Sequence, residues 1–231
     1  MRPRKVVIAV NWRQAAGELV LIVVGILIAL AISDWNDRRI QTQDEQALLG
    51  EVRTTLQADM GVLEIRLKQM SKAAAKMEQL AEILTTSSPY EPSMDHLFGA
   101  AYGMWMTNLN TAIYDTLKSI GLQTVSNSEL RLGIARVFDS HYDGIQAGHE
   151  IDRGVIIDVM RPYYLQHFRN LKFNESATPI DYENIVMDPY FKNIVEYRLA
   201  VLDSNQIASY TAAIDEMRRV LVLLDRELSP E

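Results

Sequence analysis

The chain has 231 residues, no cysteine, and 23 basic against 30 acidic side chains, for a formal net charge of −7. From Ser33 onward the imbalance grows to 19 basic against 29 acidic residues. So acidic a surface repels phosphate backbones, which argues against nucleic-acid binding, and the absence of cysteine excludes disulfides and thiolate metal sites.

The first predicted element is an apolar segment near the N-terminus. Residues 19–32 carry no polar side chain, and Trp12 and Trp35 flank them 23 positions apart. That spacing is about 35 Å along a helix, close to the hydrocarbon thickness plus one interface. Tryptophan favours the headgroup level because its ring is apolar and its N–H needs a partner. The sequence therefore predicts one transmembrane helix over residues 13–34, with both tryptophans as interfacial anchors.

A buried core helix and a cleaved signal peptide are the alternatives for this segment. The N-terminal position and the apolar residues 6–10 argue against a core helix. Residues 29–31 resemble an A-x-A cleavage site, but the long region before the apolar run and the missing turn-former favour retention of the anchor.

Charge predicts the orientation of the helix. Residues 1–12 form a short basic tail, and Arg13 follows as a third interfacial anchor. Four basic residues and no acidic one precede Glu18. Because positive residues stay on the cytoplasmic side, we expect a cytoplasmic N-terminus and an extracytoplasmic domain over residues 35–231. In a bacterium this is an inner-membrane protein with a periplasmic domain.

Two features of this segment bear on helix packing in lipid. Gly25, Ala29 and Ser33 share one face, and small residues allow close backbone approach, although they are also common in membrane helices generally. Glu18 is costly against lipid, so it either reaches the solvated interface or pairs with Arg13 of a neighbouring chain. A proton or ion role is the third alternative, and the fact that one helix cannot build a pathway argues against it.

The membrane helix is predicted to continue into a long helix over residues 36–86, which contain no proline. A heptad-like stripe with alternating spacings of four and three residues supports this prediction. Its members are Leu56, Met60, Leu63, Leu67, Met70, Ala74, Met77, Ala81 and Leu84.

Turn signals divide the next part of the chain. A cluster rich in Ser, Thr and Pro at residues 85–92 ends the long helix. A shorter apolar helix is predicted at 93–107, followed by a compact helix from Thr111 that stops at Gly121.

Two further long helices are predicted. Ser126 and Glu129 match a capping box that opens the first, and Pro162 is expected to break or kink it. Residues 173–188 are expected to form an irregular connection, and Pro189 starts the last helix. The resulting fold prediction is all-α: a single transmembrane helix that continues into an antiparallel bundle of long heptad-patterned helices.

Polar residues on one bundle helix form the candidate ligand or metal site. His141 and Asp152 share the apolar face, and His149 lies to one side. Such a layer either binds a ligand or metal, or forms a satisfied polar pair in the core. Neither a Glu-x-x-His pair nor a zinc-type spacing is present, so no metal or other cofactor is predicted.

Aromatic residues cluster around the irregular connection. They either line a binding cleft or fill the space beneath the connection. The cluster consists of Tyr163, Tyr164, Phe168, Phe173, Tyr182, Tyr190, Phe191 and Tyr197.

Two stretches resemble a known family. Gly17–Ala29 with Trp35-Asn36 resembles the opening of the bacterial "domain of unknown function 6090" proteins. Tyr114–Gly121, followed by Val125–Asn127 and Leu130, is similar to that family's central pattern. The resemblance implies a single-pass, mostly helical membrane protein and supplies no activity.

No nucleophile elbow or phosphate-binding glycine loop is present in the sequence. We therefore expect a non-enzymatic, membrane-anchored protein that acts by contact with other membrane proteins or with itself. The alternative is a periplasmic ligand-binding or sensing domain that signals through a partner.

Overall fold

A single helix dominates the first third of the chain. The computed structural model describes residues 12–229, without the side chains of residues 12–16 and 18. Helix α1 runs over Trp12–Thr86, 75 residues without a proline to interrupt its hydrogen bonds. The predicted continuation of the apolar segment into the long helix is confirmed.

The chain divides into two units after Ala47. In the first unit, the large side chains between Leu19 and Ile32 are 47–75% exposed. α1 is the one described helix that is long and apolar enough to span a membrane, with a mean hydropathy of 2.2 over its most apolar window. The second unit, Leu48–Glu231, contains the buried core, which begins at Leu49.

Only about half of the residues predicted to form the core-facing stripe of α1 are fully buried. Every second predicted residue is almost fully buried: Leu56, Leu63, Met70, Met77 and Leu84. The residues between them, such as Met60 and Leu67, are only partly buried. Asp59, Ala73 and Leu80 are also buried, each at i+3 from a member of this set, and Val52 is buried at i+3 from Leu49. In an α-helix with 3.6 residues per turn, the residues at i+3 and at i+4 both lie close to the face of residue i. Which of the two is buried depends on where the neighbouring helices pack.

Short elements connect α1 to the next long helix. A 3₁₀ turn at Pro92–Met94 leads into α2, Asp95–Ala101, which ends six residues before the predicted limit of 107. Helix α3 covers Ala112–Ile120 and stops at Gly121, whose φ of +102° favours glycine. The predicted stop at Gly121 is confirmed.

The second long helical segment covers residues 128–167. It consists of α4 (Ser128–Ala135), α5 (Tyr142–Gly154) and α6 (Arg161–His167), joined by π-helical turns at Arg136–His141 and Val155–Met160. Its cap is Asn127 rather than the predicted Ser126, because the Asn127 side chain accepts hydrogen bonds from the N–H groups of Glu129 and Leu130. Pro162 does not end the segment, since it falls in the first turn of α6, directly after a π-helical turn.

A β-hairpin begins just before the predicted irregular connection of residues 173–188, and its turn and second strand lie within that range. Strand β1, Phe168–Lys172, pairs antiparallel with β2, Ser176–Pro179, with Phe168 opposite Pro179. The prediction missed these strands because they are short and lack clear alternation. β2 packs closely on α2, where a Cβ on Gly99 would lie 2.2 Å from the backbone nitrogen of Ser176.

The last part of the chain is helical. Helix α7 covers Tyr182–Met187, and the third long segment consists of α8 (Pro189–Val201), a π-helical turn at Leu202–Ile207, and α9 (Ala208–Leu228). Asp188 caps α8 by accepting a hydrogen bond from the N–H of Tyr190, with Pro189 in the first turn. The predicted start of this helix is confirmed.

Cross-helix contacts define the bundle. The third long segment runs antiparallel to α1, because Arg53 pairs with Asp225 and Glu64 with Arg218. It also runs antiparallel to residues 128–167, since Asn127 contacts Glu227 and Arg136 pairs with Glu216. The described residues thus form the predicted all-α bundle, with the hairpin as an addition.

Most of the predicted aromatic cluster fills the space between α2, α6, β1 and α8. Tyr164 stacks on Phe168 at 4.3 Å and on Tyr102 at 4.5 Å, and Tyr163 stacks on Phe191 at 5.0 Å between ring centroids. Packing beneath the connection therefore accounts for these rings. Three cluster members, Phe173, Tyr190 and Tyr197, remain exposed.

Candidate functional site

A buried ion pair lies within the second unit. Asp152 of α5 and Arg198 of α8 pair through their charged groups, with side-chain exposures of 1% and 0%. A second contact joins Arg198 Nη2 to Asp152 Oδ2 at 3.2 Å. Removing two charges from water is expensive, and their mutual attraction compensates only when the geometry is good and the remaining polar atoms are satisfied.

Neighbouring groups satisfy only part of the hydrogen-bonding capacity of the pair, because the buried Nε atom of Arg198 has no hydrogen-bond partner in the part of the chain that the structure describes. Arg198 Nη2 also donates to the carbonyl oxygen of Gly103 at 2.9 Å, and its guanidinium lies 5.7 Å from the ring centroid of Trp105. Burial raises the pKa of Asp152, while Arg198 and the nearby Gln206 amide favour the carboxylate and oppose that shift. Burial also lowers the pKa of Arg198, against the attraction of Asp152. The pair therefore depends on mutual charge compensation.

A chain of hydrogen bonds lies beside the pair. The Nε2 atom of His149 and the hydroxyl of Tyr210 share a hydrogen bond of 2.7 Å, and Tyr210 donates to Thr107 Oγ1 at 2.9 Å. All three side chains are buried. Burial lowers the pKa of His149, so the imidazole is held neutral. The chain ties α5 and α9 to the segment after α2.

A third polar contact joins α1 to the bundle. Asp59 is buried and accepts hydrogen bonds from the Tyr142 hydroxyl at 2.6 Å and from the Asn110 N–H at 3.0 Å. Burial and the neighbouring carboxylate raise the pKa of Tyr142, so it remains a hydrogen-bond donor. Asp59 therefore fixes α1 against both the second helical segment and the connection before α3.

The structure brings together two of the three predicted polar residues. Asp152 and His149 are buried in the network, whereas His141 is only partly buried and does not join it, because the buried face passes through Tyr142 instead. Sequence reasoning missed Arg198 and Asp59. Their spacing holds a signal, since Arg198 is i+3 from Val195 and Asp59 is i+3 from Leu56, both core positions.

The predicted membrane-contact residues lie in the first unit. Gly25, Ala29 and Ser33 are exposed along α1, and a Cβ placed on Gly25 meets no atom within 4 Å. Trp35 is exposed too. The side chains of Trp12, Arg13 and Glu18 lie outside the described part of the chain. Helix packing and interfacial anchoring by these residues stay predictions.

A surface groove of about 760 Å³ lies between the loop after α1 and helix α7. We call it the α7 groove; Ser87–Tyr90 form one wall and Ile180–Met187 the other. The two walls are linked, because the Tyr182 hydroxyl donates to the carbonyl oxygen of Ser88 at 2.6 Å and the rings of Tyr90 and Tyr182 lie 5.1 Å apart. The groove is therefore preformed.

Fold and site together define a helical bundle with a buried polar network and an N-terminal helix of membrane-spanning length and composition. The chain belongs to the family of unknown function DUF6090, whose model matches residues 18–195. No curated protein and no solved structure matches the chain significantly. Among residues 12–229, no group of three or more His, Asp or Glu side chains could hold a metal ion.

Proposed function

We propose that this protein is a non-enzymatic, membrane-anchored module that acts by contact with another protein of the bacterial inner membrane or envelope. The exposed apolar run of α1 serves as the anchor, with lipid covering its side chains. The basic residues before the run support a cytoplasmic N-terminus and a periplasmic location for residues 35–231.

The α7 groove is the observation that carries this proposal. Met187 and Ile180 line it with 71% and 58% of their surfaces exposed, and the buried Val186 forms part of its base. Exposed apolar side chains grouped around a groove are typical of a protein interaction site, and methionine adapts well to a partner surface. The linked walls lower the conformational cost of binding.

Charge indicates the partner. Asp181 and Glu183 line the same groove, and the unit that contains it is acidic overall. The occupant we propose is a segment of another protein with apolar side chains flanked by Lys or Arg. Its apolar residues fill the groove between Met187 and Ile180, and its cations face the carboxylates, which favours association and register.

Co-purification of the full chain in mild detergent tests the proposal. Ile180→Glu with Met187→Glu should remove a stoichiometric partner by placing two carboxylates in the groove. The matched control is Leu132→Glu with Ile151→Glu, which makes the same charge change at exposed apolar positions outside the groove. A photo-crosslinking residue at position 187, and not at 132, should trap the same partner. Equal recovery of the partner with both double variants would overturn the proposal.

Ligand binding or sensing is the second candidate function. A separate pocket beside Trp105, lined by Arg66, Lys72 and Lys76, favours it.

A further inference from the structure

A cationic pocket of about 330 Å³ lies between α1, α2 and the hairpin turn. Arg66, Lys72 and Lys76 of α1 line one side, together with Gln69. The opposite side is formed by Trp105 and Asn174. We call this the Trp105 pocket. Its volume is near the lower end for small-molecule sites, so it fits a small ligand.

The charge in this pocket is uncompensated. Within the described part of the chain, Arg66, Lys72 and Lys76 form no ion pair. None of the described residues that line the pocket carries a carboxylate. Three cations grouped without counter-charge in a strongly acidic domain repel one another, and an anion bound between them relieves that repulsion.

The opposite wall consists of the Asn174 amide and the edge of the Trp105 ring, most of which is buried. Glycine at position 103 leaves space for the side chains of both Asn174 and Trp105. A Cβ on Gly103 would lie 1.8 Å from Asn174 Oδ1 and 2.7 Å from Trp105 Cη2. Asn174 adopts a left-handed backbone with φ of +62° in the hairpin turn, and its Nδ2 donates to the carbonyl oxygen of Met104 at 3.5 Å. The guanidinium of the buried Arg198 lies 5.7 Å from the centroid of the Trp105 ring.

We propose that the Trp105 pocket binds a small soluble organic anion with a phosphate or carboxylate group and a flat or apolar body. The anionic group lies between Lys72 and Lys76, which are i and i+4 on α1, because charge-assisted hydrogen bonds to such groups are the strong ones. Arg66 donates to Gln69 and adds positive charge farther along the pocket. The body of the ligand contacts the exposed edge of Trp105 and the aliphatic stems of Lys72 and Lys76. This site is separate from the α7 groove, so either proposal can fail without the other.

Trp105 provides the readout, because the chain has only three tryptophans. In full-length protein with Trp12→Phe and Trp35→Phe, in a phosphate-free maltoside detergent, all tryptophan fluorescence comes from Trp105. Phenyl phosphate should change this fluorescence saturably. Inorganic phosphate should bind more weakly because it lacks the ring, and phenol should have no effect because it lacks the charge.

A matched pair of double variants assigns the effect to the pocket. Lys72→Gln with Lys76→Gln should weaken phenyl phosphate binding about tenfold or more. Lys68→Gln with Lys192→Gln removes the same charge outside the pocket and should leave the affinity unchanged. Absence of a saturable response, or an equal loss in both double variants, would overturn the proposal. A response only to vesicles containing phosphatidylglycerol would also overturn it, since the ligand would then be a lipid.

Discussion

Asp152 and Arg198, 46 residues apart in sequence, form an ion pair that is closed to solvent on all sides. Arg198 also holds the carbonyl oxygen of Gly103, so one guanidinium joins α5, α8 and the segment after α2. That segment carries Trp105. The buried pair therefore positions one wall of the Trp105 pocket, besides fixing two bundle helices.

Removal of one partner of this pair should be strongly destabilising. Arg198→Met leaves the Asp152 carboxylate buried without compensation, and we expect a loss of about 3–5 kcal/mol in the free energy of unfolding. Denaturant unfolding of the full chain in mild detergent, followed by circular dichroism, measures this loss. The double variant Asp152→Leu/Arg198→Met should be more stable than Arg198→Met alone. A single variant as stable as the wild type would show that the pair is not needed for packing.

The sequence predicted the helices well and the buried polar network poorly. Helix boundaries at Gly121 and Pro189 follow from local chemistry, because glycine tolerates a positive φ and proline fits a first turn. Local chemistry does not assign Arg198 and Asp59 to the core, and their i+3 spacing from Val195 and Leu56 only permits burial. Their burial depends on which helices pack against them, and periodicity alone did not reveal that Asp59, rather than Met60, faces the core.

In the candidate site too, some features could be predicted from the sequence and others depend on tertiary packing. His149 and Asp152 lie on a face that the sequence marks as apolar, so their burial could be predicted. Their partners Tyr210 and Arg198 lie 61 and 46 residues away, and such distant pairings follow from tertiary packing. The α7 groove likewise arises because the hairpin brings α7 close to the end of α1.

Stability should depend on pH through His149. Burial lowers its folded pKa below the unfolded value of about 6.5, so the unfolded chain binds the proton more readily. Stability should therefore fall as pH decreases below about 6.5, by at most about 1.4 kcal/mol per unit, until the folded pKa is reached. His149→Gln should reduce the difference in unfolding free energy between pH 7.5 and 5. His96→Gln, at an exposed histidine, should retain it; equal pH dependence in both variants would contradict the assignment.

The hairpin should detach from α2 when Gly99 gains a side chain. A Cβ at this position meets backbone atoms of Ser176 at 2.2–2.4 Å, which cannot move as a flexible side chain could. Gly99→Ala should cost about 1–3 kcal/mol in unfolding free energy. Gly144→Ala is the control, because its Cβ meets nothing within 4 Å and helix propensity predicts a gain of about 0.5–1 kcal/mol. Denaturation midpoints of the two variants should shift in opposite directions.

Association through the membrane helix should depend on its small residues. The face that contains Gly25 and Ala29 is exposed along α1, and small side chains there allow a second helix to approach closely in lipid. Gly25→Leu and Ala29→Leu should each block that approach and lower the fraction of oligomer or bound membrane partner. Size-exclusion chromatography with light scattering in mild detergent measures the change.

Ala31→Leu is the matched control, because it adds the same side chain on a different side of the helix. It should leave association intact. The unfolding of the unit that begins at Leu48 should be the same in all three variants, since none of the substituted residues belongs to it. If Gly25→Leu and Ala29→Leu leave both the size in detergent and the co-purifying proteins unchanged, the small-residue face has no part in association, and the apolar segment acts as a tether alone.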